Sequence, residues 1–168
     1  LCGESDQVTD FAVIGDTIYL VTGKQAPRFK LVEMSLTDPD IESSRDVVPA
    51  GDLVIESVSV AADALYISAK RDGIGMVMRW APDVGLEELS PPRGGATYLS
   101  SIAPDIAGAL IYETTWLQGG VRYAYDPETA TFADTGMIPV GKFDNLEGFV
   151  AKELVIPSHD GVMIPLTI

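Results

Sequence analysis

Sulfur and imidazole chemistry are almost missing from these 168 residues: there is one cysteine, Cys2, and one histidine, His159. A lone cysteine excludes an internal disulfide and leaves the redox compartment unread. One His and one Cys far apart in sequence cannot supply a usual zinc set. Positive charge is also scarce, with 11 basic against 25 acidic residues and a net charge of −14. A phosphate-binding surface needs the opposite sign, so nucleic acid is not an expected partner. No apolar run reaches the ~18 residues of a membrane span, and no membrane partner is expected. Leu1 is followed by no basic, signal-like apolar stretch, so cytoplasm and periplasm both stay open.

Nucleophile chemistry is absent too. A Gly-x-Ser-x-Gly elbow, which exposes a serine beside oxyanion-hole amides, occurs nowhere. Gly3-Glu4-Ser5 lacks the second glycine, and Ser100-Ser101 lacks both. His159 sits in a turn-forming stretch and would need a serine and a carboxylate to converge on it. Asp38 and Asp40 flank Pro39 without the alternation or glycine of an EF-hand loop, and read as turn formers. No catalytic, cofactor-binding or metal-binding residue is therefore assigned, and no cofactor is expected.

What the chain does have is a repeat. β-Prone segments centred on Tyr19, Tyr66 and Tyr112 recur every 46 or 47 residues, each followed by a second segment closed at Pro39, Pro82 and Pro127. Alternating apolar positions with Gly or Pro punctuation indicate strands, and no stretch has helical spacing over three turns. The first unit runs through Phe11–Ile14, Thr17–Val21, Phe29–Leu36 (apolar at Leu31, Val32, Met34 and Leu36) and Asp46–Val48. The second uses Ser57–Val60, Leu65–Ile67, a loop at Lys70–Gly75, Met76–Trp80 and Leu86–Leu89. The third uses Tyr98–Ile102, Ala109–Thr114, Val121–Tyr125 and Thr131–Ala133. Four strands per unit at this period is the plan of a β-propeller blade, and three blades are too few to close a ring. A β-sandwich has no reason for such a repeat, and solenoid coils recur at shorter periods.

The expected fold is thus all-β: about three four-stranded blades, then something different. Residues 1–10 read as the edge of a preceding blade and 11–138 as three blades (11–50, 51–92 and 93–138). Residues 139–151, with Gly141, Asp144, Asn145 and Gly148, read as a linker. Residues 152–168 read as a hairpin turning at Ser158-His159-Asp160-Gly161, because Asp-Gly between apolar alternating runs is a strong hairpin signal.

The stretch from Val155 to Leu166 resembles the junction of the prolyl oligopeptidase family, where a Pro-Ser-x-Asp-Gly-x-x-(Ile/Val)-Pro run enters the α/β-hydrolase domain. Ala26-Pro27-Arg28-Phe29-Lys30-Leu31 followed by Thr37-Asp38-Pro39 is similar to that family's Pro-x-x-(Arg/Lys)-Leu strand and acidic-Pro segment. Val54–Val60 and Arg122–Pro127 also resemble its blade strands, in the same order. The resemblance implies a seven-bladed propeller over a Ser-Asp-His peptidase that cuts short proline-containing peptides, with the propeller restricting access. This chain would hold the last three blades and the first hairpin of the peptidase domain, a gating segment without the triad and inactive alone. A non-catalytic β-propeller binding module and an oligopeptidase of different specificity are the alternatives. Short peptides, through the parent enzyme, and self-association of open blade edges are the expected partners. Trp80 is expected between blades. Trp116 reads equally as core or as ligand surface, and Arg28, Lys70, Arg71 and Arg122 as solvated rim charges.

Overall fold

The computed structural model describes residues 2–142, 144 and 146–168. Leu1 and Asn145, named above in the expected blade edge and linker, lie outside the described residues, as does Phe143. Fourteen strands form among the described residues, with two 3-10 turns, at Glu4–Asp6 and Ile41–Ser43. The first sheet contains β1 (Val8–Ile14), β2 (Thr17–Thr22), β3 (Lys30–Ser35) and β4 (Arg45–Val48). The second contains β5 (Val54–Val60), β6 (Leu65–Arg71), β7 (Ile74–Ala81) and β8 (Gly85–Leu89). The third contains β9 (Ala96–Ser101), β10 (Ala109–Thr114), β11 (Val121–Asp126) and β12 (Thr131–Asp134). Each is an antiparallel meander in sequence order, and β13 (Glu153–Pro157) pairs only with β14 (Met163–Thr167). This is a propeller fragment.

Two details differ from the sequence reading. Lys70–Gly75 is not a loop: Lys70 and Arg71 end β6, Ile74 and Gly75 begin β7, and Arg71 pairs directly with Ile74. The connection is the dipeptide Asp72-Gly73, both at positive φ (51° and 85°). That is the two-residue hairpin turn whose twist matches the flanking strands, and glycine tolerates it at no steric cost. Leu36 falls after β3 and is exposed, because Leu36 N–H donates to Asp16 O and closes the hairpin end instead of continuing the strand.

The first strand of every blade carries an irregularity in register, at Thr9, Glu56 and Ser100. A bulge bends its strand and increases local twist. Repeated at the strand that packs against the neighbouring sheet, it lets the three sheets fan. The contacts between blades run through β5 against β1 and β9 against β7.

Sheet faces are buried by other sheets. Ala12, Tyr19, Val21 and Leu31 of the first blade meet Val58, Leu65, Ile67 and Met78 of the second, with Phe29 and Trp80 packed against the cluster. On its other face the second blade sets Tyr66, Val77, Ala81 and Leu89 against Ala109, Ile111 and Tyr125 of the third. Alternation along β6 sends Leu65 and Ile67 one way and Tyr66 the other, so one strand serves both seams. Burying one such side chain contributes about 1.5–3 kcal/mol. Seam burial is therefore what orders the stack.

Candidate functional site

The residues weighed for chemistry do not converge. Ser158 Oγ lies 3.2 Å from His159 Nδ1. In a serine triad the hydroxyl faces the other ring nitrogen and the carboxylate holds Nδ1. Here Asp160 Oδ1 instead accepts the Val162 N–H at 3.1 Å, and Ser158 N–H donates to Val162 O, so all three residues shape the exposed turn. Asp40 Oδ1 accepts the Glu42 N–H at 3.0 Å, capping the second 3-10 turn. Cys2 is free and exposed. Among the described residues no group of three His, Cys, Asp or Glu side chains could hold a metal.

Three of the four basic residues are surface partners of acids. Arg28 Nη1 donates to Asp52 O, Lys70 pairs with Glu56, and Arg71 Nη1 reaches Glu88 Oε2 at 3.3 Å. Such pairs are worth little in water. Arg122 is different: its Nε is buried with no partner among the described residues, while Nη1 rests 3.9 Å from Met137 Sδ. It does not behave as a solvated rim charge, because β11 carries its stem onto the sheet.

Trp80 packs against Tyr19 across the first seam, ring centroids 5.8 Å apart. Trp116 is 63% exposed and stands at the mouth of a cavity of about 340 Å³, together with Tyr98, Ile74, Thr115 and Glu153. The cavity lies where the Asp72-Gly73 turn, the loop entering β9, the end of β10 and the start of β13 meet. Gly75 makes room for it, since a Cβ there would come within 2.6 Å of Tyr98 Cε1. A second cavity of about 250 Å³ adjoins it, shares Ile74, Gly94, Gly95 and Glu153, and adds Glu88 and Glu113. No Lys or Arg lines either.

Two carboxylates that sequence reasoning passed over are structural: Asp63 bridges the second seam, and Glu113 holds the loop that enters the third blade. Asp63, at the β5–β6 turn, accepts from the Gly108 N–H at 2.7 Å, Arg79 Nε at 2.8 Å and the Tyr66 hydroxyl at 3.2 Å. Arg79 Nη1 continues to Glu87 Oε1 at 2.7 Å. Burial alone would raise the Asp63 pKa. The three donors outweigh it and hold the carboxyl below its ordinary value. Burial first, and then the Asp63 charge, push the Tyr66 hydroxyl up, so it remains a donor. Glu113 in β10 is fully buried, and its oxygens accept the Arg93 and Gly95 N–H groups at 3.2 and 2.9 Å. The sequence holds a partial signal for Asp63, an acidic residue in a tight turn. It holds none for Glu113, whose partners are main-chain groups.

The family described as prolyl oligopeptidase, N-terminal beta-propeller domain, matches residues 4–105. A prolyl endopeptidase of Elizabethkingia meningoseptica is 24% identical over 155 residues, which are 92% of this chain and 22% of that protein. Among solved structures, oligopeptidase B from Leishmania major superposes with a TM-score of 0.79 at 16% identity, covering 95% of this chain and 24% of that one. Prolyl oligopeptidase B from Galerina marginata, bound to a 35mer hydrolysis and macrocyclization substrate, gives 0.76 at 22% identity, covering 95% and 23%. The chain spans less than a quarter of the length of these relatives.

Proposed function

This chain belongs to the prolyl oligopeptidase family, within its N-terminal β-propeller domain, and on that footing we propose that it is a gating segment of a serine peptidase acting on short proline-containing peptides. The blades wall a cavity that small peptides can enter, residues 139–151 act as the hinge, and the hairpin at 152–168 opens the peptidase domain. The observation that carries this reading is the unfinished stack. Phe11 and Val13, on the outward face of the first blade, are 61% and 42% exposed. Apolar sheet faces of this kind ask for neighbouring blades. The hinge has two backbone ties to the loop after β10: Gly119 N–H to Asp144 O and Leu146 N–H to Leu117 O. The family match and the E. meningoseptica relative favour the proline-directed branch.

The test uses a chromogenic Gly-Pro substrate and a serine-directed phosphonate. The 168-residue chain is expected to do neither reaction, whereas a longer parent carrying a hydrolase domain does both. Phosphonate labelling of the short chain, or an inactive parent, overturns the reading. Taken alone the chain is also expected to self-associate through its open faces. Light scattering that finds a monomer would contradict that.

A further inference from the structure

We propose that the Tyr98–Trp116–Glu153 cavity is a binding site for a cationic residue of a peptide, an arginine side chain by its chemistry. The cavity, of about 340 Å³, is lined by an exposed indole, the Tyr98 ring and Gly73, Gly94 and Gly95, a setting that suits a flat cationic group. Its single carboxylate, Glu153, is exposed and makes no hydrogen bond or ion pair among the described residues. The two other acids of the adjoining cavity are occupied: Arg71 holds Glu88, and main-chain amides hold Glu113. Arg93, beside Gly94 of the cavity wall, is committed to Gly119 O at 2.6 Å, and Lys152, which precedes Glu153, is not among the lining residues. Among the described residues Glu153 is thus the one charged side chain that lines this space, and it has no partner there.

The backbone of the loop that carries the indole is ordered by its own hydrogen bonds. Thr115 Oγ1 accepts the N–H groups of Leu117 and Gln118 at 3.3 and 3.0 Å, and Leu117 O accepts from Leu146 N. A pre-ordered loop loses less backbone freedom on binding. A cation over Trp or Tyr is attracted by the ring quadrupole, and guanidinium, being planar and weakly hydrated, stacks better than ammonium. The chain's net charge of −14 draws such a ligand in from a distance. This inference stands apart from the peptidase reading, because it concerns binding and needs no catalysis.

The experiment is a fluorescence titration of the 168-residue chain with Ac-Gly-Arg-Gly-NH2 and with its citrulline isostere, which keeps the shape and removes the charge. The arginine peptide is expected to change tryptophan emission saturably, and the citrulline peptide to bind about tenfold more weakly. Trp116→Phe should abolish the change, leaving only Trp80, and Glu153→Gln should weaken arginine binding roughly threefold. Both side chains are exposed, so folding is not at stake. Equal response to the two peptides, a signal that survives Trp116→Phe, or an unchanged titration in Glu153→Gln would each overturn the site.

Discussion

The two seams of this three-blade stack are built on different physics. Between the first and second blades the contact is apolar and bulky: tyrosine, leucine, isoleucine and two methionines, with Trp80 laid on Tyr19. Its polar ties are few, chiefly Val58 N–H to Asp10 Oδ2 at 2.9 Å and Ile55 N–H to Arg28 O. The seam between the second and third mixes four alanines with Val77, Leu89 and Ile111, and Tyr66 meets Tyr125 edge-on. There the Asp63 network, Val77 N–H to Thr97 Oγ1 at 2.9 Å and Ala62 N–H to Ile106 O add directional bonds. The first seam is governed by volume and the second by whether each polar group keeps its partner.

Substitutions can separate these regimes. The largest effect is expected at Gly108, on the second seam. Its φ is +84°, and an added Cβ would lie 2.1 Å from Tyr125 O, a backbone atom that cannot swing away. Gly108→Ala should cost about 4 kcal/mol, where strain at positive φ and a backbone clash add. Urea unfolding measures it, and a loss below 1 kcal/mol would mean that the end of the β10–β11 pair gives way easily.

Leu65→Ala, on the first seam, should follow at about 3 kcal/mol, the transfer loss plus a cavity in a close-packed region. A neighbouring small-to-large change that restores stability would show volume to be the controlling variable.

Asp63→Asn comes next, at about 2 kcal/mol at pH 7. The amide still accepts from Gly108, and Arg79 keeps Glu87, so only part of the cost of breaking a buried pair is incurred. Its pH dependence has a definite sign. The folded carboxyl lies below its ordinary value of 3.8, so its stabilisation is present above that pH and is lost as pH falls through the folded value. The gap between wild type and variant should hold steady above about pH 4 and close at lower pH. Asp6 and Asp126, also held low, retain a residual acid slope in both proteins. A gap that persists unchanged in acid would remove Asp63's charge from the account.

The smallest effect serves as the control. Gly73 has nearly the same φ as Gly108 but nothing within 4 Å of its added Cβ, so Gly73→Ala should cost only about 1 kcal/mol, the strain alone. The difference between the two glycines isolates the Tyr125 contact within the third blade from the backbone preference.

Much of the architecture could be read from the residues in order. The four-strand plan, its sequence order, the Asp160-Gly161 turn and the inter-blade place of Trp80 follow from alternation and turn chemistry. The misreading at Lys70–Gly75 came from letting Lys70, Arg71 and two glycines signal a loop, although Asp72-Gly73 between paired strands carries the stronger hairpin signal. The cavity was legible only as an undecided Trp116, because its other walls come from three distant segments. Asp63 looked like an ordinary turn residue for the same reason.

Local periodicity determined the strands, since side chains alternate by geometry and each turn is specified within a few residues. Which face of each strand meets which neighbour, and whether a buried carboxylate finds its donors, depends on groups 20 to 50 positions away, like the 45 residues between Asp63 and Gly108. Those bonds exist only once the sheets have stacked. The seams, the Asp63 network and the Tyr98–Trp116–Glu153 cavity are therefore products of tertiary packing, because desolvation and hydrogen-bond geometry belong to the assembled surfaces and not to any one segment.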